Sequence, residues 1–318
     1  MSAQTALWLD DGNFIIAPKD TPHPGSGEVL VKNLVAALDP LDWVIRDYGF
    51  YMVKEYPAVI GEEGAGVVEE TGDGVTTLVK GDKVFYQSYL TNRCPTFQHF
   101  SVIPVELVGK VPDTISLDQA ASISAGIAPP ALGLYAQQPQ GLDLLAPWEE
   151  GGKGKYNGQP IIVVGGASSL GQYGYLGATH IIDRKLPAAS FQEQVAKITS
   201  APVELAFAAI CYPDTQQALY DVLAPEGKMI VTRRPEAVRK EGDQKMVHFV
   251  NGSFHLPGNK EFSSRFMRAL TRMTADGEIK TPAVEVIPNG LNGVVLGMER
   301  LKSESVSGKT LVVHPWET

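Results

Sequence analysis

The run Pro160-Ile-Ile-Val-Val164 passes without interruption into Gly165-Gly-Ala-Ser-Ser-Leu-Gly171. A short, uniformly apolar run of this kind predicts a strand covered on both faces of a parallel sheet. A glycine-rich turn directly after such a strand suits a diphosphate. Glycines let the backbone approach the ligand, and a following helix aims its free amides and positive dipole end at the charge. Gly165, Gly166, Ala167, Ser168, Ser169, Leu170 and Gly171 are therefore candidate dinucleotide-binding residues, with Ser168 and Ser169 adding hydroxyl donors. Glycine turns also follow strands for structural reasons alone, but the strand in front favours the binding role.

The interval after this turn is short. A nucleotide-binding unit needs a helix of about three turns, then a second strand, then a ribose-reading residue about 20 positions on. Here Gly171-Gln-Tyr-Gly-Tyr-Leu-Gly-Ala-Thr-His180 leads directly into Ile181-Ile-Asp183. That interval cannot hold both a helix and a strand.

The rest of the chain divides in texture. The first third carries short β-type runs, Glu28–Val35, Gly64–Thr71 and Asp82–Gln87, separated by Gly- and Pro-rich turns, which predict a small barrel or sandwich. Asp118 begins a helical stretch with caps available between Asp113 and Ser116, and Gln137 to Gly158 reads as a long exposed loop. Further strands are expected at Pro202–Phe207, Gly227–Thr232 and Thr310–His314, with a helix at Pro213–Val222. Alternating strand and helix predict a doubly wound α/β domain. Glu261 to Met273 places Phe262, Phe266, Met267, Leu270 and Met273 on one helical face, a core-facing stripe. The expected division is 1–122, 123–256 and 257–318, the middle part lacking a helix and a strand near 173–174.

Charge and composition narrow the function classes. Lys plus Arg number 27 against 36 for Asp plus Glu, a net charge of −9, which argues against nucleic acid as a partner. No signal peptide is visible, and the longest uncharged stretch, Ala125–Ala136, is too short for a bilayer, so a cytoplasmic protein without membrane contact is expected. Cys94 and Cys211 are expected to be reduced thiols. Histidines 23, 99, 180, 248, 255 and 314 are scattered without ligand spacing, so no metal site is expected. Glu62-Glu63, between Gly61 and Gly64, reads as a charged turn, and Arg233-Arg234 with Arg239-Lys240 as a solvated loop. Gly151-Gly-Lys-Gly-Lys155 lacks the spacing of a P-loop, and no Gly-x-Ser-x-Gly elbow occurs.

Several segments together resemble the medium-chain dehydrogenase/reductase superfamily. They are Leu38-Asp-Pro-Leu-Asp-Trp-Val-Ile-Arg46, Tyr56-Pro-Ala-Val-Ile-Gly-Glu-Glu-Gly-Ala-Gly66, Val79-Lys-Gly-Asp-Lys-Val84, Leu176-Gly-Ala-Thr-His-Ile-Ile-Asp183 and Val306-Ser-Gly-Lys-Thr-Leu-Val-Val313. The similarity runs over nearly the whole chain and is greatest to the zinc-free branch of quinone oxidoreductases and enoyl reductases, the fungal trans-acting enoyl reductases in particular. Zinc alcohol dehydrogenases carry Cys where this chain has Asp39 and His where it has Glu62.

The resemblance implies a GroES-like β-barrel catalytic domain plus a shortened Rossmann domain, with NADPH held by residues 165–171 in the cleft between them. It implies metal-independent reduction of a carbon–carbon double bond conjugated to a carbonyl or carrier-bound thioester, a small-molecule or carrier-bound enoyl substrate, a polyketide synthase as partner, a place in secondary metabolism, and a monomer or homodimer. Hydride attack at the β-carbon leaves an enolate that hydrogen-bond donors stabilise. The proton for the α-carbon comes from solvent or a side chain, with Asp42, Tyr48, Tyr51 and Tyr56 as candidate catalytic residues.

Three departures from the family pattern stand out. Val44 replaces a usual Lys, Ala128-Pro129-Pro130 replaces a Thr-bearing segment, and about 25 to 30 residues carrying the first Rossmann helix and second strand are missing after Tyr173. Two alternatives therefore stay open, a non-catalytic scaffold that binds dinucleotide poorly and a quinone oxidoreductase.

Overall fold

A computed structural model describes residues 3–166, 168, 178–183, 185–239 and 242–317. Strands β1 (Ala3–Asp10) and β2 (Asn13–Asp20) form an antiparallel hairpin. β3 (Glu28–Leu38) leads into helix α1 (Pro40–Tyr48), followed by β4 (Ala58–Val59), β5 (Glu63–Thr71), β6 (Lys83–Gln87), β7 (Phe100–Pro104) and β8 (Val108–Lys110). Helices α2 (Leu117–Ala121) and α3 (Ser124–Tyr135) come next. The middle of the chain contains β9 (Ile161–Val164), α4 (Ala188–Ile198), β10 (Val203–Ala208), α5 (Pro213–Val222), β11 (Leu223–Val231) and β12 (Met246–Phe249). It closes with α6 (Lys260–Ala275), β13 (Ala283–Val286), α7 (Gly293–Lys302) and β14 (Lys309–Val313).

The chain forms two compact units, Met1–Ala125 with Ser253–Thr318, and Gly126–Gly252. In the first, a seven-stranded sheet runs β13-β14-β3-β5-β6-β8, with β7 also paired to β3, beside a small β2-β1-β4 sheet. One of its cores gathers Leu7, Leu9, Leu38, Ile45, Val294, Met298 and Leu311, so β1, β3, α1, α7 and β14 share one apolar cluster. The stripe on α6 is buried as its periodicity predicts, with Phe266 packed between Phe254 and Phe262 at ring-centroid distances of 5.7 and 5.8 Å.

The second unit is built on a four-stranded parallel sheet ordered β12-β11-β10-β9. A doubly wound sheet has the order 3-2-1-4-5-6. The four strands correspond to positions 6-5-4-1, so β9, which belongs at the centre, stands at the edge among the described residues. This corrects one expectation. β9 is not covered on both faces, since Ile161 is 46% exposed and Ile162 and Val163 are half-exposed. Ile181-Ile-Asp183 is not a strand; Ile181 is exposed, and only Ile182 packs on the core. Without a strand on that side of β9, this segment has no ladder to join.

The segment after α3 differs from expectation as well. It holds no regular element, yet Gly141, Leu142, Ala146 and Gly152 are buried. The amides of Leu142, Asp143 and Leu144 donate to the carbonyls of Gly133, Ala136 and Leu134 at 2.9–3.0 Å. These bonds satisfy carbonyls that the end of a helix leaves without partners, and they draw the loop inward. The loop carrying Arg233, Arg234 and Arg239 is exposed, and both cysteines are free. No described helix is long and apolar enough to cross a membrane.

Candidate functional site

Two groups of residues carry chemistry, one in each unit. In the second, β9 ends in a turn in which Gly165 takes φ 85°. A Cβ there would lie 2.7 Å from Cγ1 of Ile210, so both the left-handed backbone and the space require glycine. The amide of Ser168 donates to the Gly165 carbonyl at 2.8 Å and closes the turn. The turn sits at the carboxyl end of a parallel strand, where open α/β sheets bind ligands. Gly165, Gly166 and Ser168 thus fit the diphosphate of a dinucleotide; Ala167, Ser169, Leu170 and Gly171 lie outside the described residues. The described residues offer no second strand beyond β9 to read a ribose or its phosphate.

In the first unit, four carboxyl groups meet where β3 gives way to α1 and where β5 begins. Asp39 caps α1 by accepting from the Leu41 amide at 3.1 Å, and Asp42 reciprocates by accepting from the Asp39 amide at 2.8 Å. Glu63 is paired in register with Ala37 of β3 and accepts from the Ala125 amide at 2.7 Å, just inside α3. Glu62 is half-buried along its length, with its carboxyl end enclosed. Burial pushes all four carboxyls above the ordinary range, and the charges acting on Asp42, Glu62 and Glu63 are those of the cluster itself. Such groups hold protons at pH values where a surface carboxylate is bare. Oδ1 of Asp42 and the hydroxyls of Ser124 and Thr96 are buried without a hydrogen-bond partner among the described residues. Glu62-Glu63 is accordingly not a charged turn, contrary to the expectation from sequence.

The remaining candidates are placed differently. Tyr48, at the end of α1, is 77% exposed, Tyr51 65% and Tyr56 45%. Asp42 is fully buried and engaged in the cap. The structure brings Asp42 into the carboxyl cluster and leaves Tyr48 at the end of α1 and Tyr51 and Tyr56 on the segment that follows it.

Comparison with known proteins bears on both groups. Residues 25–116 match the alcohol dehydrogenase GroES-like domain. The trans-enoyl reductase himH of Aspergillus japonicus is 26% identical over 94% of this chain and 93% of its own length. The dehydrogenase pigH of Monascus ruber is 32% identical, but over 47% of this chain and only 42% of pigH. An alcohol dehydrogenase superfamily protein from Novosphingobium aromaticivorans shares the fold, with a TM-score of 0.76 at 17% identity over 98% of this chain and 99% of that one. The chain has homologues among the medium-chain dehydrogenase/reductases. As in the solved structures it resembles, a GroES-like domain is joined to a parallel-sheet, Rossmann-like domain. The relatives it matches are named as a dehydrogenase and a trans-enoyl reductase.

Sequence reasoning missed the carboxyl cluster. A signal was present, because Glu62 and Glu63 interrupt an otherwise apolar segment from Ala58 to Val68. Charges inside an apolar run are either turned outward or buried in company. Asp39 lies 23 positions earlier, and only strand pairing brings it close.

Proposed function

We propose that the chain is an NADPH-dependent, metal-independent reductase of activated carbon–carbon double bonds, acting on an α,β-unsaturated carbonyl or thioester. One observation carries the reading: the left-handed Gly165 turn at the carboxyl end of β9, in a chain alignable almost end to end with a fungal trans-enoyl reductase. Gly165, Gly166 and Ser168 would hold the diphosphate, and the bound nicotinamide supplies hydride chemistry. Asp39 and Asp42 each accept a backbone amide in the cap of α1 through one carboxyl oxygen, a structural role that supports a reaction without a Lewis acid. The enolate that develops is then stabilised by hydrogen-bond donors, and a proton is delivered to the α-carbon. Tyr48, Tyr51 and Tyr56 reach solvent and fit that delivery better than Asp42, which is enclosed and tied to the cap. A small enoyl compound or carrier-bound thioester, supplied by a polyketide synthase, is the substrate class this reading implies.

The second reading is a scaffold that no longer binds dinucleotide well. The position of β9 at the sheet edge favours it, because the strands that carry the ribose-reading residue lie beyond that edge in a full sheet. Calorimetric titration with NADPH and NADH separates the two. Saturable micromolar binding of NADPH, lost in Gly165→Val, supports the reductase. Absence of saturable binding to the folded wild-type chain rejects it in favour of the scaffold.

A further inference from the structure

Beyond β14 the chain forms a short strap, His314 to Glu317, laid over the first unit. Trp316 stacks on His99 with ring centroids 3.8 Å apart, meets Phe100 edge-on at 5.6 Å and lies 4.3 Å from the Lys32 ammonium. Its indole N–H donates to the Asn33 carbonyl at 2.8 Å, and Nε2 of His99 donates to the Pro315 carbonyl at 3.1 Å. His314 occupies the start of the strap. Its Nε2 lies 2.9 Å from Oδ1 of Asp118 on α2, and its Nδ1 lies 2.8 Å from Oε1 of Glu317.

That geometry has a chemical requirement. An ionised carboxylate only accepts hydrogen bonds, and a neutral imidazole has one N–H to give. Both contacts are hydrogen bonds at once only when both ring nitrogens carry protons. We infer that His314 is a protonation-dependent latch, tying the strap to α2 as an imidazolium and releasing one of its two carboxylates when it loses a proton.

The surroundings agree with this assignment. The charges facing His314 are Asp118 from α2 and Glu317 from the strap itself, and their hydrogen bonds hold its pKa above the ordinary histidine value despite partial burial. On the Trp316 side stand Lys32 of β3 and His99; burial keeps His99 below the ordinary histidine value. On the β13–β14 side, Glu285 is taken up by Arg300 and Lys309. The latch reaches further than the surface. α2 is held by the Ser116–Gln119 capping box at its start and by Asp118–His314 beside it, and three residues after its end comes Ser124, where the amides that receive Glu63 begin. The strap therefore bears on the segment that holds one member of the buried carboxyl cluster.

The test is histidine-resolved NMR titration of the full chain, with exchange of the Trp316 and Glu317 amides followed across the same pH range. His314 is expected to titrate above an unperturbed histidine. Strap exchange, corrected for its intrinsic pH dependence, should accelerate as pH rises through that midpoint, by about tenfold for each unit by which the midpoint is raised. His314→Gln, which is uncharged throughout, should abolish the step, and Asp118→Asn should lower the midpoint. Should His314 titrate at or below the unperturbed value, or strap exchange in the wild type show no step at its midpoint, the latch is rejected. The outcome is independent of whether the chain binds NADPH.

Discussion

Asp39, Asp42, Glu62 and Glu63 are each ordinary in the sequence and costly together in the fold. Enclosing one carboxylate is unfavourable, and enclosing four without a cation is tolerated only because some of them keep their protons. The sign of the pH dependence is set by that retention. A carboxyl whose pKa is raised on folding binds more protons folded than unfolded, so its stability contribution is fully present below the unfolded value of about 4 and is lost as pH rises through the raised value. Wild-type thermal stability should therefore decline as pH rises above the unfolded carboxyl value. Asp42→Asn keeps an oxygen to accept from the Asp39 amide while removing one titrating group. It should flatten that decline and raise the melting temperature at about pH 8 by roughly 2–4 °C, the shift that about 1 kcal/mol produces in a domain of this size. A lower melting temperature for the variant at that pH, measured by calorimetry, would mean that the cluster is ionised and paired with something else.

Among the elements, α6 and β9 differ sharply in burial. The face of α6 is fully enclosed, and Phe266 fills the centre of an aromatic stack. Phe266→Ala should cost about 3–5 kcal/mol, read as a shift in the urea midpoint. β9 is four apolar residues with one side paired to β10 and the other unpaired among the described residues. Apolar edges of that kind invite strand pairing between chains, and natural edges are blunted with charge. Ile161→Lys places a charge on the exposed position at the edge and should reduce light scattering at high protein concentration while leaving stability within about 1 kcal/mol of wild type. A large loss of stability in that variant would show that Ile161 is packed rather than exposed in solution.

At the scale of the molecule, function turns on whether a parallel sheet of four strands still presents a usable diphosphate turn. Ligand that binds only the folded state stabilises it by RT ln(1 + [L]/Kd), about 2.7 kcal/mol at a hundredfold excess over Kd. NADPH should therefore raise the melting temperature of the chain in a concentration-dependent way and NADH should do so less. An identical melt with and without NADPH at millimolar concentration would leave only the scaffold reading standing.

Much of this was legible in the residues themselves. Local periodicity is enough to place α5, α6 and the strands β3, β5, β10 and β11 within a few positions, because those segments bury one face or both and their apolar spacing records it. The length of the interval after Gly171 likewise predicts that a helix and a strand do not both fit there, an expectation that falls mostly on positions outside the described residues. Tertiary structure alone decided what that shortage does, since a run as apolar as Ile161–Val164 reads as central whether or not neighbours exist to cover it. It alone also decided that Glu63 faces inward beside Asp39 and that His314 bridges two carboxylates, one of them 196 positions away. Pattern along a chain encodes how each segment meets an average interior, whereas these contacts depend on which segments become neighbours, and that is set by pairing across the whole fold.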